Sequence, residues 1–148
     1  MLFQQVKNKI IPDMKMKITK LFTALAVVLL FGCNSNHQES NINLNDGEKW
    51  VVNAEMKPHI DKGNELLDNF IQNNGTDFLE LANKLKAQNS ALVQSCTMKG
   101  ESHDELHKWL YPHMKLIDNL SKASSLVEAN EIISQLEDSF DAYQQHFK

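Results

Sequence analysis

Apolar residues after Gly47 recur at intervals of three and four, which is the period of an amphipathic helix. The first two stretches carry the stripes Met56, Ile60, Gly63, Leu67, Phe70 and then Phe78, Leu81, Leu85, Leu92, Cys96. Asn53 or Pro58 is suited to start the first helix, and Thr76 to cap the second. Gly75 and Gly100 follow the two stripes, as helix-ending glycines do.

The third and fourth stretches each begin with a capping box, Ser102 with Glu105 and Ser125 with Glu128. Pro112 predicts either a kink in the third helix or a local rearrangement that repairs it. The two stripes are His103, Leu106, Leu110, His113, Ile117, Leu120 and then Leu126, Ala129, Ile133, Leu136, Phe140, Tyr143, Phe147. Four helices with short connections predict an all-α fold, an antiparallel up-down-up-down four-helix bundle over residues 47–148.

The composition agrees with a small helical protein of one domain. The 148 residues include 5 Gly and 3 Pro, and the 15 cationic residues are all Lys. From Cys33 onward 10 Lys stand against 18 Asp and Glu, a net charge of −8. Because binding to nucleic acid depends on neutralising phosphates, so acidic a protein is not expected to bind it.

Residues 1–32 have the pattern of a secretory signal peptide. Lys15, Lys17 and Lys20 form a positive region, and the apolar run 21–31 that follows is too short to span a bilayer. Met14 or Met16 is a candidate start, because residues 1–13 carry no signal features. An uncleaved membrane anchor is the alternative interpretation of this segment.

The apolar run ends in Leu30-Phe31-Gly32-Cys33. This sequence resembles the lipobox of bacterial lipoproteins, with an aliphatic residue three positions before Cys33 and a small residue just before it. The resemblance implies cleavage before Cys33 and its acylation, hence a lipid-anchored protein of the bacterial envelope, facing the periplasm or the cell surface. Residues 33–46 are polar and predict a flexible tether between this anchor and the bundle.

In an up-down-up-down bundle, the starts of helices one and three and the ends of helices two and four meet at one pole. These four places hold side chains able to ligate metal, namely Met56, His59, Cys96, Met98, His103, His107 and His146, together with Tyr143. His103 and His107 are four residues apart, so both imidazoles leave the same helical face. Two imidazoles with thiolate and thioether sulfur suit copper, as Cu(I), or zinc if the Met sulfurs do not bind. The sequence therefore predicts a metal site at this pole, with Cys96, His103 and His107 as ligands and Met56, Met98 or His59 completing the set. Asp104 or Glu105 is expected to orient an imidazole.

Other interpretations of the same residues stay open. Cys96, Met56 and Met98 also suit plain packing in a structural or partner-binding bundle that docks another envelope protein and holds no cofactor. The plan also resembles the small periplasmic four-helix cytochromes, which implies b-type haem held by Met56 and His146. The stretch 96–110 resembles that of helical bacterial lipoproteins of undescribed function. No catalytic motif such as H-E-x-x-H or a nucleophile elbow occurs, so we do not expect an enzyme.

Overall fold

The computed structural model describes residues 41–148 as four α-helices. They are α1 Lys57–Gln72, α2 Phe78–Ser95, α3 Glu101–Leu120 and α4 Leu126–His146. The predicted all-α four-helix class is confirmed. The helices pack in a ring, with α1 against α2, α2 against α3, α3 against α4 and α4 back against α1. The predicted signal peptide, Cys33 and the tether as far as Ser40 lie outside the described residues.

The first turn of α1, the last turn of α2 and the first turns of α3 meet at one end of the bundle, where Met56, Leu92 and His103 line the same pocket. We call this end the histidine pole. Elsewhere the start of α2, the end of α3 and the start of α4 surround a larger, open pocket that includes Phe78 and Leu120. No helix within residues 41–148 is long and apolar enough to cross a membrane.

The core follows the predicted stripes, and Leu67, Leu85, Leu106 and Leu136 are each almost fully buried. Burial of such a side chain contributes about 1.5–3 kcal/mol, so the stripes account for much of the stability of the bundle. Leu126 is the exception, because 65% of it is exposed. It is the first residue of α4, at the end of the bundle, where few side chains are available to cover it.

The helix starts differ in detail from the predictions. Asp77, and not Thr76, caps α2 by accepting the N–H of Glu80 at 2.8 Å. The N-cap of α3 is Gly100, which has no side chain to offer, so the predicted box of Ser102 and Glu105 does not form.

The predicted box at α4 forms in part. Ser125 accepts the N–H of Glu128 at 3.1 Å, while the Glu128 carboxylate accepts from the backbone and hydroxyl of Ser124. At α1 the helix begins at Lys57 without a side-chain cap. Asn53 instead donates to the carbonyl of Ser95 at the end of α2. α3 continues through Pro112 without a break.

The segment before α1 is fixed to the bundle at two places. Ile42 is buried, and the backbone N–H of Asn43 donates to a Glu105 carboxylate oxygen at 2.8 Å. Trp50 donates its indole N–H to the carbonyl of Asn43 and pairs through its backbone with the chain end around Phe147. The folded body therefore includes Ile42 and Asn43. These two residues lie within the range 33–46 that the sequence predicts as a flexible tether.

Candidate functional site

The turn between α2 and α3 gathers the candidate side chains at the histidine pole. α2 ends at Ser95 and α3 begins at Glu101, so Cys96 and Met98 lie in a five-residue connection. Gly100 reverses the chain with a φ of +69°, a conformation that a residue with a Cβ adopts at a cost. The reversal brings the first two turns of α3, which carry His103 and His107, beside the end of α2.

The two imidazoles approach each other directly. Nε2 of His103 lies 3.0 Å from Nε2 of His107, and the ring centroids are 4.3 Å apart. The geometry follows from the spacing of four residues, which stacks side chains on one face of a helix. The ring of His107 also packs against that of Tyr111 at 4.6 Å. One nitrogen of the pair must donate its proton to the lone pair of the other.

A pocket of about 190 Å³ lies beside this pair. It contains five of the six residues predicted to bind metal, which are Met56, Cys96, Met98, His103 and His107. Its remaining walls are the apolar side chains of Leu92, Val93, Leu106 and Leu110. The pocket therefore combines two imidazoles and three sulfur atoms with a largely apolar lining.

His59 is the sixth predicted residue, and it is not part of the pocket. Its Nδ1 lies 3.4 Å from the Oε1 of Gln88 on α2. Cys96 is a partly buried free thiol. Within residues 41–148 no group of three or more His, Cys, Asp or Glu side chains is arranged to hold a metal ion. Cys96 therefore lines the same pocket as the two imidazoles. Among these three side chains, the direct contact is between the two imidazoles.

The surroundings of His107 favour its neutral ring. Burial lowers the pKa of His107, and the neighbouring His103 lowers it further, against the opposing charge of Asp104. The Asp104 side chain is 79% exposed and 3.9 Å from Nδ1 of His103. The Nδ1 atom of His107 is buried and has no hydrogen-bond partner. A neutral imidazole keeps the lone pair that a metal ligand requires.

Glu105 has a different role from the predicted orientation of an imidazole. It is buried, and its carboxylate accepts hydrogen bonds from Asn43 and from the ammonium of Lys108 at 2.6 Å. Burial alone would raise the pKa of Glu105, but these hydrogen bonds outweigh it and hold that pKa below its usual value. The stripe pattern could not predict that Glu105 is buried, because its partner Asn43 lies 62 residues earlier in the chain.

The two residues predicted for haem are in different surroundings. Met56 is fully buried and lines the pocket. His146 is not among the residues around that pocket, and its Nδ1 lies 2.8 Å from the carbonyl oxygen of Ala142 on its own helix. The structure therefore does not join Met56 and His146 around one pocket, and the haem interpretation gains no support from these contacts.

No protein-family model matches the chain, and the searches of curated proteins and of solved structures found no match.

Proposed function

We propose that this chain is a lipid-anchored protein of the bacterial envelope whose bundle binds copper or zinc in the pocket at the histidine pole. One observation carries the metal proposal: Nε2 of His103 and Nε2 of His107 lie 3.0 Å apart beside a pocket that also contains Met56, Cys96 and Met98. Two nitrogen and three sulfur donors in one small pocket are the chemistry that soft and borderline ions prefer.

The imidazole pair has nearly the spacing of a chelate. Two nitrogens bound at 2.0–2.1 Å to a tetrahedral ion are about 3.3 Å apart. The observed separation of the Nε2 atoms is 3.0 Å, so small rotations of the two side chains are enough to admit an ion between them. The ion would replace the proton that the two rings share, and both Nε2 lone pairs would then face the metal.

Sulfur ligands complete the coordination. Met98 and Cys96 lie in the turn above α3, and Met56 enters from the start of α1. Ligation by Cys96 requires its side chain to move toward the imidazoles, because these three residues are not gathered into a metal-binding group as they stand.

The lipid anchor rests on the sequence around Cys33. The folded body begins by Ile42, so the linker from Asn34 to Asn41 extends to at most about 28 Å. An acylated Cys33 would hold the bundle close to the membrane surface, since several acyl chains together give stable anchoring. The membrane is the partner that this proposal names.

Metal analysis of the full chain, purified in detergent without a histidine tag, tests the metal proposal. We expect one copper or zinc ion per chain, lost in His103→Gln and His107→Gln and retained in His59→Gln. His59 is the matched control because it is a half-buried histidine at the same end of the bundle but outside the pocket. Binding that survives both pocket variants contradicts this site. A chain that binds neither metal favours the structural or partner-binding alternative.

Membrane fractionation of the full chain expressed in bacteria tests the anchor. We expect the protein in the membrane fraction, with a mass that corresponds to cleavage before Cys33 plus acyl chains. Cys33→Ser should release it or leave the signal uncleaved, while Cys96→Ser should change neither the mass of the lipid nor the fractionation. An unmodified Cys33 in the mature protein would contradict the proposal.

A further inference from the structure

We infer that the ion of this pocket is monovalent copper, held by Nε2 of His103, Nε2 of His107 and the thioether sulfur of Met98. The inference deepens the proposed function and rests on it, since it assigns the ion and its ligands at that same site. Three features of the pocket carry it: the kinds of donor present, the charge around them and the apolar walls.

The pocket offers no carboxylate. Among its described lining residues the polar donors are imidazole nitrogen and sulfur alone. The carboxylate of Asp104 points to solvent, with its side chain 79% exposed. The carboxylate of Glu105 is already bound by Asn43 and Lys108. An ion in this pocket therefore gains no compensating negative oxygen.

A pocket without a carboxylate is a poor site for zinc. Structural zinc sites use four strong ligands drawn from thiolate, imidazole and carboxylate. In the part of the chain that the structure describes, no three such side chains are gathered here or elsewhere. Cys96 lines the same pocket, but its thiol is not gathered with the two imidazoles into a metal-binding group. The two imidazoles without it leave a divalent ion half-coordinated, and thioethers bind zinc weakly because zinc is a harder ion than monovalent copper.

The imidazole nitrogens and thioether sulfurs of the pocket suit monovalent copper. Thioether sulfur is a ligand that selects Cu(I). Met98 is partly buried in the turn between α2 and α3, and its unbranched side chain can adjust its reach. Met56 is fully buried and also lines the pocket, so it supplies a second thioether there.

The apolar walls also favour the lower charge. Leu92, Leu106 and Leu110 are buried and line the pocket together with Met56. The cost of moving an ion from water to such surroundings rises with the square of its charge. The free energy of desolvation is therefore far smaller for a monovalent ion than for a divalent ion in this pocket. Neutral thioether and imidazole ligands are then sufficient to hold the monovalent ion.

Paired titrations of the full chain test this inference. Cu(I) is titrated under anaerobic, reducing conditions against a chromogenic Cu(I) chelator, and Zn(II) against a chromogenic zinc chelator. We expect Cu(I) to bind about 100-fold more tightly than Zn(II), which corresponds to about 2.7 kcal/mol. X-ray absorption at the copper edge should show both nitrogen and sulfur scatterers.

Met98→Leu removes the sulfur and nearly conserves the volume of the side chain. We expect it to weaken Cu(I) binding by about tenfold or more, equivalent to about 1.4 kcal/mol, and to reduce the sulfur scattering. Met114→Leu is the matched control, because Met114 is a partly exposed methionine on α3 outside the pocket. Circular dichroism of each variant verifies that the bundle is folded.

The outcomes separate the inference from the proposed function. Zn(II) binding that is tighter than Cu(I) binding, and that is lost in His107→Gln, overturns the inference and leaves the metal site standing. The assignment of Met98 is overturned if Met98→Leu leaves both the Cu(I) affinity and the sulfur scattering unchanged. It is also overturned if the sulfur scattering is lost in Cys96→Ser. Absence of binding by either ion overturns both the inference and the proposed function.

Discussion

In the core of the bundle, Nδ1 of His113 lies 2.9 Å from the hydroxyl oxygen of Ser139 on the neighbouring helix α4. The imidazole is 1% exposed and stacks on the indole of Trp109, with ring centroids 4.7 Å apart. Burial lowers the pKa of His113 to about 3. The neutral ring is therefore a structural member of the core, although it belongs to the same helix as the two histidines of the pocket.

This burial predicts that acid destabilises the protein through His113. In the unfolded chain the imidazole has its ordinary pKa of about 6.5, so between pH 6.5 and 3 the unfolded state binds the proton and the folded state does not. Stability is complete above pH 6.5 and falls by up to about 1.4 kcal/mol for each pH unit below it. Urea unfolding at pH 7 and at pH 5 measures the loss.

His113→Phe provides the comparison, because a phenyl ring fills a similar volume and does not titrate. We expect a smaller loss of stability between pH 7 and pH 5 in this variant than in the natural chain. The pKa of His107 is also lowered, so this residue contributes to the same loss of stability in acid. His107→Gln should nevertheless keep most of the pH dependence, whereas His113→Phe should remove most of it. Equal pH dependence in the natural chain and in His113→Phe would refute the assignment.

Glu105 fastens the segment before α1 to α3. Glu105→Ala removes a charged acceptor from the Asn43 N–H and from Lys108, and a hydrogen bond to a charged group contributes about 1.5–3 kcal/mol. We expect a loss of that size in urea unfolding and faster hydrogen exchange at the Asn43 amide. Glu101→Ala, an exposed change in the same helix, should cost about 0.5 kcal/mol or less. Similar losses in the two variants would contradict this role.

Two leucines of the fourth stripe should respond differently to truncation. Leu136 is fully buried, whereas 65% of Leu126 is exposed. Leu136→Ala leaves a cavity and should destabilise the bundle by about 2–5 kcal/mol, while Leu126→Ala should cost about 0.5 kcal/mol or less. Thermal and urea unfolding measure both changes. A large loss in Leu126→Ala would mean that this side chain is covered in solution.

The cap of α2 can be tested with two neighbouring substitutions. Asp77 accepts the N–H of Glu80, so Asp77→Ala should destabilise the protein by about 1 kcal/mol. Thr76→Ala should have a much smaller effect, because the structure gives Thr76 no capping bond at this helix start. The reverse order of the two losses would show that the cap lies one residue earlier.

Periodicity was enough to predict the helices and most of their buried faces, because the spacing of apolar residues follows directly from 3.6 residues per turn. The buried set Ile60, Leu85, Ile117 and Phe140 follows from that pattern. The contact between His103 and His107 is also local, since four residues in a helix fix it. Caps were less predictable, because Thr76 and Asp77 are both suitable and only the backbone path selects one of them.

The sequence by itself determined the four helices, the faces they bury and the paired imidazoles on α3, because each of these depends on neighbours within a few residues. The tertiary structure alone decided that His59 and His146 lie outside the pocket that Met56 shares with Cys96 and Met98. It also decided that Ile42 and Asn43 belong to the folded body and that Glu105 is buried. Those contacts join residues far apart in the chain, so they exist only once the helices have packed, and no local spacing encodes them.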